Sequence, residues 1–399
     1  MKILMLTPYL PYPLLSGGQI RTYNLLKNLK DKHEITLFAY IRRESERKYV
    51  KELEKYCKKV LVFKRRPAWN LRNILGSAFS SYPFLVTIYL SRRFQEAIRR
   101  ELNETSYNLI HAETFYMMPN IPKTQVPIIL VEQTIEYLAY QTYVWQTWLW
   151  PIKPFLYLDV WKIRRWETAY WRTANRLITM SNEDKRAIQL EVGSGVPIDV
   201  VANGVDIGFF SKTKKEFPKE PTVLFVGTFK WLPNIDAVEF LVEEIWPQVL
   251  EKLSKAKLLI VGFSPSKKIL EYGKYPSITV RGDIEDIRLA YSQADVLLAP
   301  IRSGKGTRYK VLEAMATGTP IVATSLAVEG IGVDPNSHVL VGDTAEELAS
   351  LTVKALTDDR LRETLAKNSK ALVEKKFNWA TISYELDRVY SEVGKTNRS

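Results

Sequence analysis

Cysteine is almost missing from this sequence. Cys57 stands alone among 399 residues, which rules out an internal disulfide and a thiolate metal cage and fits a reducing compartment. Histidine is nearly as scarce: His33, His111 and His338 are the full complement, which argues against a zinc site. No apolar run approaches the roughly 20 residues that a membrane-spanning helix needs. The longest, residues 82–90 and 144–161, are too short or are interrupted by Pro151, Lys153 and Pro154. The opening MKILMLTPYLPYPLL is broken by Pro8, Pro11 and Pro13, and no small-residue cleavage site follows it. It reads as a strand from Lys2 to Leu6 entering a loop, not as a signal sequence. Short-period repeats and low-complexity tracts are absent as well. These absences lead us to expect a cytoplasmic protein that meets a membrane, if at all, peripherally on its inner face.

What is present is ordinary in amount and distinctive in placement. Hydrophobic residues make up 46% and charged residues 25% of the chain, the proportions of a globular protein long enough for two cores. The net charge of +13 admits an anionic substrate, an anionic membrane or nucleic acid as partner, so the position of the cations must decide.

Short apolar runs alternate with helical patterns. ILML, EITLFAY, VLVF, NLIHA, PIILVEQ and RLITMS come first, then a polar, lysine-rich break at residues 203–221, then KLLIVG, SITVRG, DVLLAP, PIVAT and HVLVGD. This rhythm predicts an α/β protein of two doubly wound, Rossmann-like domains, residues 1–203 and 204–377. From residue 378 onward, Trp379, Ile382, Leu386, Val389 and Val393 recur at helical spacing, which predicts a terminal helix over 378–399.

The stretch RSGKGTRYKVLEAMATGTPIVAT, residues 302–324, follows the strand DVLLAP and so lies at a carboxyl end, where open parallel sheets bind ligands. Gly304 and Gly306 let backbone amides approach a guest, and a helix N-terminus adds unpaired N–H groups and partial positive charge, so phosphate is the natural occupant. A helix beginning near Gly306 sets residues 306, 310 and 313 on one face and turns Val311, Leu312 and Met315 to a core. Lys310 then neutralises a phosphate while Glu313 accepts hydrogen bonds from sugar hydroxyls, as a nucleotide diphosphate requires. A solvated Lys310–Glu313 pair accounts for the charges too, but leaves the two glycines unexplained. A second pair, Gly17 and Gly18, precedes a helix expected from about Gln19 to Leu29; alone it is equally well read as a turn. Two such helix mouths predict facing domains, one holding a donor nucleotide and the other presenting an acceptor.

In their order and spacing, TPYLPYPLLSGGQIRTYNLLKNL, LIHAE, LITMSNEDKRA, VVANGVD, VLFVGT, LLIVG, VRGDIEDIRLAYSQADVLLAPIRSG, KVLEAMATGTPIVAT and FNWATISYELDRVY resemble retaining glycosyltransferases of the GT-B fold, family four. The resemblance spans nearly the whole chain. It implies two Rossmann-like domains facing a cleft, an acceptor-binding domain followed by a donor-binding one, with the terminal helix crossing back to the first. It implies a nucleotide-diphosphate sugar, a UDP- or GDP-hexose, as substrate, with no further cofactor. No Asp-x-Asp pair occurs, so no metal is expected.

Two family features are altered. Members commonly carry Glu-x7-Glu; here Glu313 matches the second glutamate and Lys305 stands at the first. Many also place an arginine after the glycine of VLFVG, where this chain has Thr228, with Lys230 nearby. Gly306, Thr307, Arg308, Lys310 and Glu313 instead match a subgroup pattern, Gly-Thr-Arg-x-Lys-x-x-Glu. The resemblance thus implies that Arg308 and Lys310, with Lys230, neutralise the diphosphate and that Glu313 holds the ribose. It also places His111 beside the transferred sugar, and it implies retention without a protein nucleophile, the leaving diphosphate helping to deprotonate the acceptor. Glu113 and Glu136 follow strand ends, where either a cleft or a solvated surface suits them.

Residues 137–176 are dense in Trp and Tyr, with Lys162, Arg164, Arg165 and Arg172 among them, and a second basic and apolar tract spans 64–93. Trp148, Trp150, Arg164 and Arg165 are candidates for contact with an anionic membrane and a glycan or lipid-linked acceptor. The plainer alternative packs these aromatics in a core or an oligomer interface. No nucleic-acid motif is present. Two rival functions stay open: a nucleotide-sugar epimerase or hydrolase on the same fold, and a non-catalytic nucleotide-sugar or anionic-polymer binding protein.

Overall fold

A computed structural model describes every residue except 147–149, 217, 283, 305, 307 and 397–399. Trp148, Lys305 and Thr307, all singled out by the sequence, fall outside the described residues.

The chain divides into two compact units: residues 1–203 together with 382–399, and residues 204–381. The first is built on seven parallel strands: β1 (Lys2–Thr7), β2 (Glu34–Ile41), β3 (Lys59–Lys64), β4 (Leu109–Glu113), β5 (Ile128–Glu132), β6 (Arg176–Thr179) and β7 (Ile198–Val200). They lie in the order β3-β2-β1-β4-β5-β6-β7. The second unit repeats the plan with β8 (Thr222–Val226), β9 (Lys257–Gly262), β10 (Ile278–Gly282), β11 (Val296–Ala299), β12 (Ile321–Ala323) and β13 (Leu340–Val341), ordered β10-β9-β8-β11-β12-β13. Strands buried on both faces read as continuous apolar runs. Ile3, Leu4, Met5 and Leu6 in one sheet and Leu297, Leu298 and Ala299 in the other are fully buried.

In each sheet the winding reverses once, between β1 and β4 and between β8 and β11, which pair in parallel. Reversal leaves a crevice at the carboxyl ends, since the connections there leave toward opposite sides. Gly17 and Gly18 follow β1, Thr228 and Lys230 follow β8, and Gly304, Gly306 and Arg308 follow β11, while His111 lies on β4 itself.

The helix after β1 spans Gly17–Leu29 and is capped by Ser16, so Gly17 and Gly18 form its first turn, two residues earlier than expected. The helix after β11 begins at Tyr309, not near Gly306. Gly304 and Gly306 adopt φ of 91° and 95°, a left-handed backbone that glycine enters without steric cost and that delays the helix. It ends at Gly318, also left-handed.

The last helix, Trp379–Thr396, buries Ile382, Leu386, Val389 and Val393. From residue 382 it belongs to the first unit. Its polar side is tied there too: Asp387 accepts from Lys32 Nζ at 2.6 Å and meets His33 Nε2 at 2.9 Å, and Glu392 pairs with Arg176 at 2.8 Å.

Candidate functional site

In the second unit, three candidate side chains converge on the helix Tyr309–Thr317. Lys310, in its first turn, is buried. Its ammonium donates to Asn234 Oδ1 at 2.9 Å and lies 4.2 Å from the centre of the Phe225 ring. Asn234 in turn donates to the Thr228 carbonyl at 2.8 Å. Lys310 is therefore fixed to the loop after β8 by a neutral relay. Burial pulls this ammonium down to about 7, the Arg308 charge adds to that, and Glu313 opposes it.

Glu313 is partly exposed, and its Oε2 lies 2.9 Å from the hydroxyl of the fully buried Tyr291. Burial raises its carboxyl, with Tyr291 and Lys310 partly compensating. Lys310 and Glu313 are thus no solvated surface pair: each is held by a different neutral group. Arg308 donates to the Gly304 carbonyl at 2.7 Å, which folds its guanidinium over the glycine loop, and burial lowers its pKa. Lys230 is exposed and lies 4.6 Å from the centre of the Phe263 ring. Glycine is required at Gly227, because a Cβ there would come within 2.9 Å of Asn234 Cγ. Thr228 is thus tied through Asn234 to Lys310, which feels the charges of Arg308 and Glu313, while Lys230 lies against Phe263.

The first unit has its own polar centre at the β1–β4 reversal. His111 is fully buried on β4 beside Met5 of β1. Its Nε2 lies 3.1 Å from Glu113 Oε1 and its Nδ1 lies 2.7 Å from the hydroxyl of Tyr390 on the last helix. With Nε2–H given to the carboxylate, Nδ1 accepts from Tyr390. Glu113 is fully buried, so its solvated reading fails. Its other oxygen accepts from Gln133 Nε2 at 2.5 Å, and Gln133 also donates to Tyr9 Oη at 2.7 Å. Burial raises the Glu113 carboxyl, but His111, Arg21 and Gln133 outweigh this and leave it lowered. A Cβ on Gly18 would meet Tyr9 Oη at 2.6 Å and Gln133 Oε1 at 2.8 Å, so this glycine serves close approach more than a turn. Glu136 is half-buried, and burial raises it to about 7. His111 thus reaches protein groups with both ring nitrogens.

Several of these partners carry no local sequence signal. Asn234 sits in WLPN after β8 and Tyr291 in LAYSQAD before β11; only the assembled sheet brings them to Lys310 and Glu313. Tyr390 reaches His111 across 279 positions.

The aromatic tracts divide. Tyr137, Val144, Val160, Ile163 and Trp171 are buried, while Trp145, Trp150, Phe155 and Trp161 are exposed. Arg165 stacks on Trp161 at 5.6 Å. Arg164, a candidate for partner contact, pairs with both carboxylate oxygens of Glu191, at 2.9 and 3.0 Å, and its side chain stays 55% exposed. Among the described residues no group of three or more His, Cys, Asp or Glu side chains could hold a metal ion, and no helix is long and apolar enough to cross a membrane.

Comparison with known proteins bears on both units. Residues 15–209 match a family model described as Glycosyltransferase Family 4, and residues 220–358 match one described as Glycosyl transferases group 1. A phosphatidyl-myo-inositol mannosyltransferase of Mycobacterium leprae is 28% identical over 211 residues, 51% of this chain and 54% of its own length. The chain spans about half the length of the curated relatives it matches. The sucrose-phosphate synthase of Thermosynechococcus elongatus superposes with a TM-score of 0.74 at 19% identity, covering 99% of this chain and 100% of that one. The Anabaena protein HepE, solved with UDP and glucose, gives 0.64 at 17% identity, covering 98% and 100%. Two family models that divide most of the chain between them, and a fold shared along its length, make this chain a glycosyltransferase of the family-four type with the GT-B fold.

Proposed function

We propose that the protein is a retaining hexosyltransferase that uses a nucleotide-diphosphate sugar and acts on a glycan or lipid-linked acceptor, in cell-envelope or exopolysaccharide assembly. The second unit takes the donor. The observation that carries this reading is the buried Lys310, set on Phe225 and Asn234 beside Arg308 at the β8–β11 reversal. Burying an ammonium against neutral partners is unfavourable unless an anion completes the site, and a diphosphate does so with two cations already in position. Glu313, steadied by Tyr291, receives the ribose hydroxyls.

In the transfer, the acceptor oxygen forms its bond to the anomeric carbon as the bond from that carbon to the diphosphate oxygen breaks. The acceptor proton passes to the leaving diphosphate. Arg308 and Lys310 stabilise the charge that grows there, which is electrostatic preorganisation. His111 lies too deep to meet solvent and is assigned to positioning Glu113 and the last helix at the acceptor side. The UDP and UDP-glucose complexes of HepE support a UDP donor, and the mannosyltransferase relatives support a lipid-linked acceptor.

Thermal-shift measurements against UDP, GDP and ADP sugars test the reading, since only a ligand of the folded state raises the melting temperature. One nucleotide class should stabilise the protein, and Arg308→Ala should weaken that binding by about tenfold or more, the usual loss for a charge-assisted contact. Stabilisation by none of them would overturn it. Donor turnover with no acceptor present would favour the epimerase or hydrolase alternative, and binding without any turnover the non-catalytic one.

A further inference from the structure

The two aromatic, basic tracts are separate in sequence but joined in the first unit. Asp159, on the helix Lys153–Thr173, accepts from the backbone N–H of Phe84 at 2.8 Å and from Ser77 Oγ at 3.2 Å. Lys162 donates to the carbonyls of Ser77 and Ser80 at 2.7 and 2.9 Å, and Trp166 donates to that of Ser81 at 2.7 Å. The helix Leu71–Ala78 is therefore locked beside the long helix.

Each then turns large apolar side chains outward. Trp69, Leu71 and Phe79, in or flanking the first, and Phe155 and Trp161 in the second with Trp150 just before it, are 56% to 87% exposed. Apolar display on this scale is uncommon on a monomer and marks a surface that something covers. The charge around it says what. No Asp or Glu occurs between Glu54 and Glu96, nor between Glu136 and Asp159. Asp159 itself is spent on Ser77 and Phe84. Lys64, Arg65, Arg66, Arg72, Arg92 and Arg93 belong to the first tract, and Arg165 flanks Trp161 in the second.

We infer that this two-helix face docks on an anionic lipid bilayer, its aromatics entering the interfacial layer and its arginines meeting the headgroups. Aromatics among cations match the lipid interface, where rings sit at headgroup depth and each nearby cation adds attraction. A second copy of the chain fits poorly, because a face bearing cations without acids repels itself. The inference does not depend on the donor chemistry, so either can fail without the other.

Sedimentation of the whole protein with phosphatidylglycerol-rich vesicles, against phosphatidylcholine vesicles, tests it. Binding should be strong only to the former and should fall as salt rises from about 0.1 to about 0.5 M, through screening. The pairs Trp69→Ser with Phe79→Ser, and Trp150→Ser with Phe155→Ser, should each lower vesicle binding by about tenfold or more, since each removes two apolar anchors. Leu190→Ser, at an equally exposed leucine elsewhere in the unit, should leave it unchanged. Circular dichroism and the nucleotide-induced thermal shift check that the variants fold. No binding to anionic vesicles, binding indifferent to the aromatic substitutions, or self-association that those substitutions abolish would each overturn the inference.

Discussion

At the scale of single residues, the proposed donor site turns on a lysine poised to change charge. Burial draws Lys310 down to about 7, so the free protein loses this cation as pH rises through neutrality. A bound diphosphate favours the ammonium and raises that pKa, so binding takes up a proton on the alkaline side. Affinity for the nucleoside diphosphate should therefore fall above about pH 7, approaching tenfold per pH unit, by proton linkage. Calorimetry in buffers of differing ionisation heat should detect the proton, and Lys310→Arg, which keeps its charge, should flatten the profile. A flat profile in the unaltered protein would refute the argument. Arg308, Lys310 and Glu313 were legible because their spacing is local. Asn234 and Tyr291, which hold two of them, were not: they lie 76 and 22 positions away, and only strand order makes them neighbours. His111 was legible as a strand-end histidine, but its partner Tyr390 comes from the far end of the chain.

At the scale of elements, strands were read well because each is an apolar run bounded by turns, whereas helix starts moved with backbone detail. The positive φ of Gly304 and Gly306 postpones one helix to Tyr309, and Ser16 capping advances another to Gly17. Composition alone could not divide the aromatics of residues 137–176, since burial depends on which helix side meets the core. The last helix offers two tests. Tyr390→Phe leaves His111 Nδ1 buried without its donor and should destabilise the first unit by about 1–3 kcal/mol, seen as a lower melting temperature. His33 gives a pH signature. Burial, and after it the N-terminal ammonium, lower its pKa despite the Asp387 bond. The unfolded chain then binds the proton more readily than the folded one. Its contribution is complete above the ordinary histidine pKa of about 6.5 and declines as pH drops below that value. Unfolding followed from pH about 7.5 to about 5.5 should show this loss, and His33→Asn should reduce its slope; an unchanged slope would count against it.

At the scale of the whole molecule, the two units differ in how the chain builds them. The second is one continuous stretch, residues 204–381, while the first is completed by residues 382–399. Entry to and exit from the second unit are stitched together: Val205 donates its backbone N–H to the Phe377 carbonyl at 2.8 Å, and Val205 bridges Asn378 in parallel. Gly204 sits so close to this exit that a Cβ would meet Phe377 O and the Trp379 ring at 2.9 Å. A stretch whose two ends meet and which has its own sheet and core has the anatomy of an insertable domain. The Asn-Gly at 203–204 marked the entry in the sequence; the exit within the last helix carried no such punctuation. Fragment 204–381 should therefore fold cooperatively and keep the nucleotide-induced rise in melting temperature. Fragment 1–203, stripped of Leu386, Val389 and Tyr390, which are fully buried in the intact chain, should lack a cooperative transition. Restoring the helix in trans as a peptide of residues 382–396 should recover part of it, by mass action on the folded form. A stable 1–203 fragment that ignores the peptide would show that the last helix is an accessory of the first unit and not part of its core.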